Sequence, residues 1–518
     1  MALPTDTSRK WWTLGVVCVG TFMLLLDVTI VNVALPSIQR SLHSSFSDLQ
    51  WVIDAYSLML AALLLTAGSL SDILGRKRVF LLGLAVFTVS SAVCGLASSP
   101  LLLNLARGVQ GSGGALMLAT SLALLAQEFQ GRDRGTAFGA WGATIGGAVA
   151  IGPLVGGALT DGLGWQAIFY LNVPIGVVGL VVTARKLVNL RGEQRAIDWP
   201  GLVTFSSALF LLVFALVRGN DTGWGSPRTV GLLIAAVVLL GAFVVIESRR
   251  AQPMLDLALF RNPTFGGASL VAFALSGSMF ALFLYMTLWI QGILGYTPLQ
   301  AGLRFLPTTL VSFVVAPIAG RLSSRVPVRA LLGGGLLLVG LSLLLMRGLT
   351  ADSGWTALLA GFIVGGVGVG MVNPTLASTA VGVVDPRRSG MASGINNTFR
   401  QVGIATGIAA LGAVFEHVVR SHVVSGLAGT PGAGQAAQLA RAVSAGATQQ
   451  AIAALPAGAR AQVHHVAAAS FASALNDIFL IGAILAFVGA VGAFGLVRSR
   501  DFALGGHAGA PAQAAACS

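Results

Sequence analysis

Long apolar runs, separated by short polar segments, repeat along almost the whole length of the chain. Each run reaches about 20 residues, the length that an α-helix needs to cross a bilayer. The runs are continuous rather than alternating, so they predict membrane-spanning helices and not the strands of a β-barrel. The predicted spans number fourteen and lie at roughly 12–35, 50–70, 79–98, 101–127, 135–159, 167–187, 201–218, 227–246, 266–294, 300–322, 328–347, 355–381, 390–415 and 471–497.

The composition favours the same class of protein. Hydrophobic residues make up 55% of the 518 residues and charged residues only 9%, whereas soluble proteins carry about 25% charged residues. The first apolar run is too long for a signal peptide and is followed by further spans, so we expect it to be a first transmembrane helix. The predicted fold is therefore all-α: a polytopic membrane protein, with the lipid bilayer as a partner.

The net charge of +13 comes from basic residues in short loops between the apolar runs, and not from one clustered patch. Most of the 31 Lys and Arg residues fall in segments that lie inside when the N-terminus is inside. Loops rich in these residues stay in the cytoplasm. We therefore expect both termini to be cytoplasmic, and we expect no nucleic-acid partner. The high Gly and Ala content favours a bacterial protein of the cytoplasmic membrane.

Cysteine and histidine give no sign of a metal site. Cys18, Cys94 and Cys517 are far apart, and the six histidines fall in loops or in the tail. The sequence has no nucleotide-binding P-loop. No metal, cofactor or catalytic constellation is predicted, so we do not expect an enzyme. Transport energy is expected from an ion gradient rather than from ATP.

A weak internal repeat divides the chain. "GSLSDILGRK" follows the second predicted span and "GRLSSRVPVR" follows the tenth, with Asp72 of the first replaced by Ser324 in the second. Six-helix repeats of this kind are known in transporters. We expect six-helix bundles at 1–198 and 251–503, with two inserted helices at 199–250.

Two stretches lie outside this pattern of spans. Residues 417–470 are rich in Ala, Gly and Gln, and we expect an extracytoplasmic low-complexity linker there, with amphipathic helical pieces as the alternative. Residues 504–518 are expected to form a disordered cytoplasmic tail.

Four motifs occur in order along the chain. They are "LDVTIVNVALP" in span one, "GSLSDILGRKRV" after span two, "LNLARGVQGSGGA" in span four and "GGAVAIGPLVGGAL" in span five, and "WQAIFYLNVPIG" follows them. Together they resemble the major facilitator superfamily, in its fourteen-helix drug:proton antiporter branch. The resemblance covers nearly the whole chain and implies proton-coupled transport, with helices one and four as neighbours. We expect the protein to be a monomer.

The motif in span one places Asp27 inside an apolar run, where a charge is costly. At a helical rise of about 1.5 Å per residue, Asp27 lies roughly 12 Å and Arg107 roughly 9 Å below the outer boundary. The two can pair if their helices are neighbours. A carboxylate that gains and loses a proton suits proton coupling, and a purely structural pair is the alternative. Asp54 is either a second transport acid or a solvated carboxylate at a helix start.

The loop after span two combines an acid, two glycines and three basic residues: Gly68, Asp72, Gly75, Arg76, Lys77 and Arg78. Gly75 permits a tight turn, and Asp72 can pair with Arg76 or meet the N-terminus of a neighbouring helix. The prediction is a conformational latch at the cytoplasmic end. The alternative is a positively charged anchor with no gating role.

Span five is rich in glycine. Glycines four residues apart allow close backbone approach, and a proline bends a helix. The family resemblance associates this motif with export. Its members are Gly147, Gly152, Pro153, Gly156 and Gly157.

Polar and aromatic residues of several spans are candidates for lining a substrate cavity. Arg400 lies roughly 15 Å deep in span thirteen, on one face with Asn396. The full set is Asn32, Gln110, Tyr285, Trp289, Gln291, Asn396, Asn397 and Arg400. The alternatives are an interhelical hydrogen-bond network for the polar members and ordinary packing for the aromatic ones.

The leading hypothesis is an alternating-access exporter that exchanges protons for hydrophobic, amphipathic or cationic drugs or antibiotics. A dedicated exporter or importer of one metabolite, such as a self-made antibiotic or a siderophore, is the alternative, because a fold does not settle the substrate. A third hypothesis is a sensor that has lost transport. It predicts that Asp27 and Arg107 tolerate neutral substitution.

Overall fold

The computed structural model describes residues 7–44, 46–188, 196–250, 252–323, 325–428, 433–453, 455–498 and 500–502. Within these ranges the chain is almost entirely helical and contains no β-strand, as the all-α prediction requires. The predictions on Ser324 and on the tail 504–518 lie outside the described residues.

The helices are numbered here in chain order. They are α1 (Thr7–Leu42), α2 (Phe46–Leu74), α3 (Arg76–Gly95), α4 (Pro100–Glu128), α5 (Gly131–Leu163), α6 (Gln166–Lys186), α7 (Trp199–Thr222), α8 (Pro227–Arg249), α9 (Pro263–Ile293), α10 (Pro298–Leu322), α11 (Val328–Leu345), α12 (Leu359–Gly382), α13 (Ser389–Gly426), α14 (Ala436–Ser444), α15 (Thr448–Ala453) and α16 (Ala457–Leu496). Helix α9 contains two wide π-helical turns, Ser276–Phe280 and Trp289–Ile293.

Among the described residues, 13 helices are long and apolar enough to cross a membrane. Helix α5 is not one of these, although it has 33 residues and is the remaining one of the fourteen predicted spans. It packs between α1 and α10. Helices α14 and α15 are too short to span a bilayer.

Several helices begin with a capping side chain and a proline. Ser99, Ser226, Asn262 and Thr297 each accept a hydrogen bond from a backbone N–H of the first turn, and proline follows each of them. The cap satisfies one free N–H, and proline at the first helical position removes another. Gly75, between α2 and α3, has a φ of 96°, which glycine adopts without strain.

The helices pack as two groups and one hairpin. Helices α1–α6 are called the N-terminal group, and α9–α13 with α16 are called the C-terminal group; most of them pack chiefly within their own group, whereas α5 and α10 pack most extensively on each other. The groups meet where α5 packs on α10 and where α2 packs on α13. The α7–α8 hairpin packs through α7 against both α2 and α13.

The predicted linker at 417–470 is largely helical. Helix α13 continues to Gly426 and α16 begins at Ala457, so both helices extend beyond the spans predicted to end at 415 and to begin at 471. Between them, Leu439 and Val443 of α14 are buried as α14 packs on α13 and α16. Alanine has the highest helix propensity, and a one-sided apolar pattern gives a short helix a face to bury.

The bundle has two ends, which we name by the chain. The terminal end is where α1 begins and α16 ends, and the opposite end is the distal end. The ends of α2, α10 and α12 and the starts of α5 and α13 also lie at the terminal end, as the contacts below show.

Candidate functional site

The ion pair predicted between the first and fourth spans is present in the structure. Oδ2 of Asp27 lies 2.5 Å from Nη1 of Arg107. The two residues are only 3% and 1% exposed, and α1 packs against α4. The carboxylate in the apolar run of α1 therefore has a cation directly beside it.

Two amide side chains hold the same carboxylate. Gln110 donates to Oδ1 of Asp27 at 3.0 Å and Asn172 donates to it at 3.2 Å. Gln110 accepts from Arg107 at 2.7 Å, and Asn172 also donates to Oγ of Ser91 at 3.1 Å. We call these five residues the Asp27 network. Three donor groups surround the carboxylate, an arrangement that a buried charge requires.

Helix α2 holds Arg107 from another side. Nε of Arg107 donates to the carbonyl oxygen of Val52 at 3.0 Å. The guanidinium lies 4.3 Å from the centroid of the Tyr56 ring, a cation–π contact. Helices α1, α2, α3, α4 and α6 thus all contribute to the surroundings of this pair.

Three members of these surroundings were not predicted: Tyr56, Ser91 and Asn172. Asn172 lies in the "WQAIFYLNVPIG" stretch, and polar residues within spans face the protein interior, so that signal was available. Nothing in the spacing of Tyr56 or Ser91 shows that they face Arg107 or Asn172.

At the terminal end, Asp72 joins the two groups of helices. Its carboxylate accepts from the backbone N–H of Gly390 at 2.9 Å and of Met391 at 2.7 Å. These N–H groups belong to the first turn of α13, where a negative charge is favoured. Arg76 lies 3.5 Å from Asp72 and donates to the carbonyl oxygen of Pro386. Both contacts that were proposed for Asp72 are present.

The other predicted latch residues differ in whether they contact the C-terminal group. A Cβ added to Gly68 would lie 2.3 Å from the carbonyl oxygen of Gly390, so glycine is needed for this close approach. Lys77 donates to two carbonyl oxygens at the end of α6, both at 2.7 Å, which keeps it within the N-terminal group. Arg78 is exposed. Contacts between the groups come from Gly68, Asp72 and Arg76.

Helices α5 and α10 also meet closely at the terminal end. A Cβ added to Gly135 would lie 2.1 Å from the carbonyl oxygen of Gly320, and one added to Gly139 would lie 2.8 Å from Cα of Pro317. Arg134 donates to the carbonyl oxygen of Ser378 on α12 at 2.9 Å. The two groups are therefore in direct backbone contact at this end.

The glycines of the predicted export motif have different surroundings. A Cβ added to Gly152 would lie 1.9 Å from a threonine hydroxyl of α1, and one added to Gly156 would lie 3.3 Å from the α1 backbone. Gly147 and Gly157 have no such neighbour within 4 Å, and Pro153 lies within α5. Packing against α1 accounts for two of the glycines, and the contacts do not explain the other two.

A small cavity of about 30 Å³ lies between the two groups. Gly146 of α5 lines it from one group and Asn373 of α12 from the other. Asn373 accepts a hydrogen bond from Nη2 of Arg400 at 2.8 Å. Asn396 is 3% exposed, and Asn397 donates to a backbone oxygen of its own helix at 3.0 Å. The polar face predicted on α13 is buried, and Arg400 contacts the cavity wall.

A larger hollow, of about 380 Å³, lies in a groove between α3 and α4. Val89 and Val109, which line it, are 64% and 53% exposed, and Ser90 is its one polar lining residue. In a membrane this groove faces lipid, so its chemistry suits acyl chains and not a selective site.

Four of the predicted cavity residues lie elsewhere. Tyr285 donates to a backbone oxygen of α13 at 2.9 Å, and the Trp289 ring lies 5.7 Å from that of Phe471. Both belong to the apolar core of the C-terminal group, the arrangement that the alternative of ordinary packing describes, because large aromatic side chains gain most from complete burial. Gln110 belongs to the Asp27 network, and Asn32 is exposed on α1.

Two further candidates lie away from the cavity. Gln291 is in the second π-helical turn of α9. Asp54 lies 3.5 Å from Arg218 of α7, so it links α2 to the hairpin. Its side chain is 16% exposed.

Comparison with known proteins gives consistent results. The sequence model of the Major Facilitator Superfamily matches residues 17–408. The chain is 37% identical to the tetracenomycin C resistance and export protein of Streptomyces glaucescens, over 78% of this chain and 76% of that protein. It is also 37% identical to the multidrug resistance protein Stp of Mycobacterium tuberculosis, over 76% of this chain and 74% of that one.

Among solved structures, the chain is similar to the human organic anion transporter MFSD10 (TETRAN). The TM-score is 0.60 at 17% sequence identity, and the match covers 92% of this chain and 99% of that one. A likeness at this identity concerns the fold alone.

Proposed function

The chain belongs to the major facilitator superfamily, and on that basis we propose that it exports drug-like or antibiotic-type compounds in exchange for protons. The names of its relatives support export: one is a resistance and export protein and the other a multidrug resistance protein. The two packed groups of helices support alternating access, in which two bundles rock around a central site. We propose that these groups are the halves at 1–198 and 251–503, with the hairpin inserted between them.

The observation that carries proton coupling is the burial of Asp27. It is 3% exposed and lies in a network that spans five helices. Ionisable residues inside membrane proteins are functional by default. A proton on Asp27 removes the negative charge to which Arg107, Gln110 and Asn172 all donate hydrogen bonds. Its binding would therefore alter the packing of the N-terminal group. Asp54 is proposed as a secondary acid only, because it is paired with Arg218 nearer the bundle surface.

We further propose that the terminal end is cytoplasmic, which the distribution of Lys and Arg along the chain supports. The contacts of Asp72, Arg76 and Gly68 then close the cytoplasmic side, as in a state that faces outward. Breaking these contacts would open the site towards the cytoplasm. The latch therefore acts in the conformational cycle and is more than a topological anchor.

The test is transport by the purified full chain in proteoliposomes, with an imposed pH gradient and a panel of unrelated aromatic and cationic compounds. The proposal expects movement of several compounds against the direction of proton flow, and none without a gradient. Movement that ignores the pH gradient and responds only to a sodium gradient would overturn proton coupling.

A dedicated exporter is the second candidate, because one relative is named for a single antibiotic. The same panel separates the two: a dedicated exporter moves one chemical series and leaves the rest. Import would appear as movement of the compound in the same direction as the proton.

A further inference from the structure

The cavity between the two groups is lined unequally by them. Ile145 and Gly146 come from α5, and the rest of the wall comes from α9, α10 and α12 of the C-terminal group. The volume of about 30 Å³ holds about one or two water molecules. Because its walls belong to two groups that separate in alternating access, the cavity widens when they move apart. We call it the Arg400 cavity.

Arg400 is a cation with few partners. Its one hydrogen-bond acceptor among the described residues is Oδ1 of Asn373, and its Nε is buried with no partner at all. No described carboxylate lies within ion-pair distance of it, whereas Arg107 is 2.5 Å from Asp27. A buried charge without a counter-charge is costly. Arg400, which is half-buried, therefore lacks the counter-charge that the fully buried Arg107 has.

Polar groups near Arg400 are also unsatisfied. Both amide atoms of Asn396, one helical turn away on the same face, have no partner among the described residues. The hydroxyl of Thr308, which lines the cavity, is in the same condition. Buried polar atoms almost always have partners in native structures. Three of these unpartnered groups can donate, namely Nε of Arg400, the amide NH2 of Asn396 and the hydroxyl of Thr308, and an anionic ligand supplies acceptors for them.

One wall of the cavity is aromatic. Phe280 and Phe283 line it, with ring centroids 6.1 Å apart, and Phe305 lies 5.4 Å behind Phe283. Phe280 ends the π-helical turn Ser276–Phe280, and such turns occur often at functional sites. Aromatic walls bind flat ring systems by stacking or edge contacts. The wall thus suits a planar aromatic body and the guanidinium suits a negative charge.

We infer that the Arg400 cavity binds the carboxylate or ionised phenol of a planar aromatic compound, with Arg400 as its counter-charge. The inference rests on the proposed function, because it names the class of compound that is exported. It also narrows the expected substrate, from the hydrophobic, amphipathic or cationic compounds that the sequence suggested to anionic aromatic ones. Arginine is the side chain best shaped to meet a carboxylate with two parallel hydrogen bonds.

The test compares two xanthene dyes of similar size in binding to the full chain in lipid nanodiscs, by fluorescence anisotropy. Fluorescein carries a carboxylate and a phenolate, and rhodamine 6G is an esterified cation. We expect wild type to bind fluorescein about tenfold or more tightly than rhodamine 6G. In Arg400→Gln, fluorescein affinity should fall about 10- to 100-fold, the range for a lost charge-assisted hydrogen bond, and rhodamine 6G affinity should not fall.

Two further variants complete the design. Arg400→Lys keeps the charge and should retain part of the affinity for fluorescein. Arg441→Gln removes the same charge from an exposed position on α14 and should bind as wild type does. Equal or tighter binding of rhodamine 6G by wild type, binding of neither dye, or wild-type affinity for fluorescein in Arg400→Gln overturns the inference. The wild-type comparison decides even if Arg400→Gln does not fold.

Failure of this inference is distinct from failure of the proposed function. Proton-driven movement of rhodamine 6G, with no binding of fluorescein, would overturn the inference and leave proton-coupled export standing. Arg400-dependent binding of fluorescein, with no proton-driven movement of either dye, would support the inference and overturn proton-coupled export.

Discussion

Two arginines lie within the helical bundle in opposite surroundings. Arg107 has a carboxylate, an amide, a carbonyl oxygen and an aromatic ring around it. Arg400 has one amide. A fully paired cation holds its neighbours in place, and unused donors on a cation are costly unless a ligand or water accepts from them. The two residues thus divide the chemistry, with proton exchange proposed in the N-terminal group and ligand charge proposed in the C-terminal group.

Gly68 offers a sharp test of packing at a single residue. Gly68→Ala puts a methyl group 2.3 Å from the carbonyl oxygen of Gly390, so α2 and α13 must move apart. Overpacking of this kind costs about 1–3 kcal/mol. We expect a lower melting temperature for the detergent-purified protein and faster labelling of a cysteine placed near Pro386.

Gly147→Ala is the matched control, because nothing lies within 4 Å of the added Cβ. Its melting temperature should equal that of wild type or lie slightly above it, since alanine has a higher helix propensity than glycine. Equal effects of the two substitutions would show that close approach at Gly68 is not what stabilises this state.

The residues that could be predicted are those whose depth or turn geometry the sequence determines. Counting residues along two spans placed Asp27 and Arg107 at similar depth, which predicted their pairing. The position of Gly75 between two spans predicted a tight turn. The sequence left open whether Tyr285 and Trp289 line a cavity or pack in a core, because aromatic side chains suit both equally well. Which face of α9 meets α13 and α16 depends on tertiary packing, and no local pattern encodes it.

At the scale of helices, the start of α13 depends on a carboxylate from α2. Asp72→Asn keeps an acceptor oxygen but removes the negative charge from the first turn of α13 and from Arg76. A charge of this kind is worth about 1–2 kcal/mol in a partly buried site, a shift of roughly 5- to 30-fold in population. We expect a longer distance between spin labels at Arg78 and Arg387, measured by pulsed electron resonance.

Asp133→Asn is the control for loss of charge at the same end. Asp133 pairs with Lys10 at 2.6 Å but has a side chain that is 51% exposed, and exposed pairs contribute little. The distance distribution should match that of wild type. A distribution unchanged in Asp72→Asn would mean that the contact does not hold the two groups together.

Helix existence was easier to predict than helix length. Apolar runs located the spanning helices, but α13 and α16 extend well beyond the apolar parts, to Gly426 and from Ala457. The extension of α16 is Ala-rich, and that of α13 alternates paired valines with polar residues. Both pack on each other and on α14. A hydropathy pattern predicts segments that are buried in lipid. It does not predict helices that are buried by protein packing outside the bilayer.

For the whole molecule, the α7–α8 hairpin bridges the two groups. Trp51 of α2 stacks on Phe214 of α7 at 5.8 Å, and Val213 of α7 lies in one small apolar cluster with Leu58 of α2 and Ala405 of α13. A rocking motion of the groups therefore moves α7 relative to at least one of them. The pattern of spans indicated that two helices were inserted, but not that one would contact both groups.

The central claim is that Asp27 carries the exchanged proton. The most direct measurement loads proteoliposomes with the pH indicator pyranine and follows proton movement when a transported compound is added to one side. Wild type and the exposed-site control Asp133→Asn should show compound-dependent proton flux. Asp27→Asn should bind the compound and show no such flux, whereas wild-type flux in this variant, at equal protein content, would contradict the account.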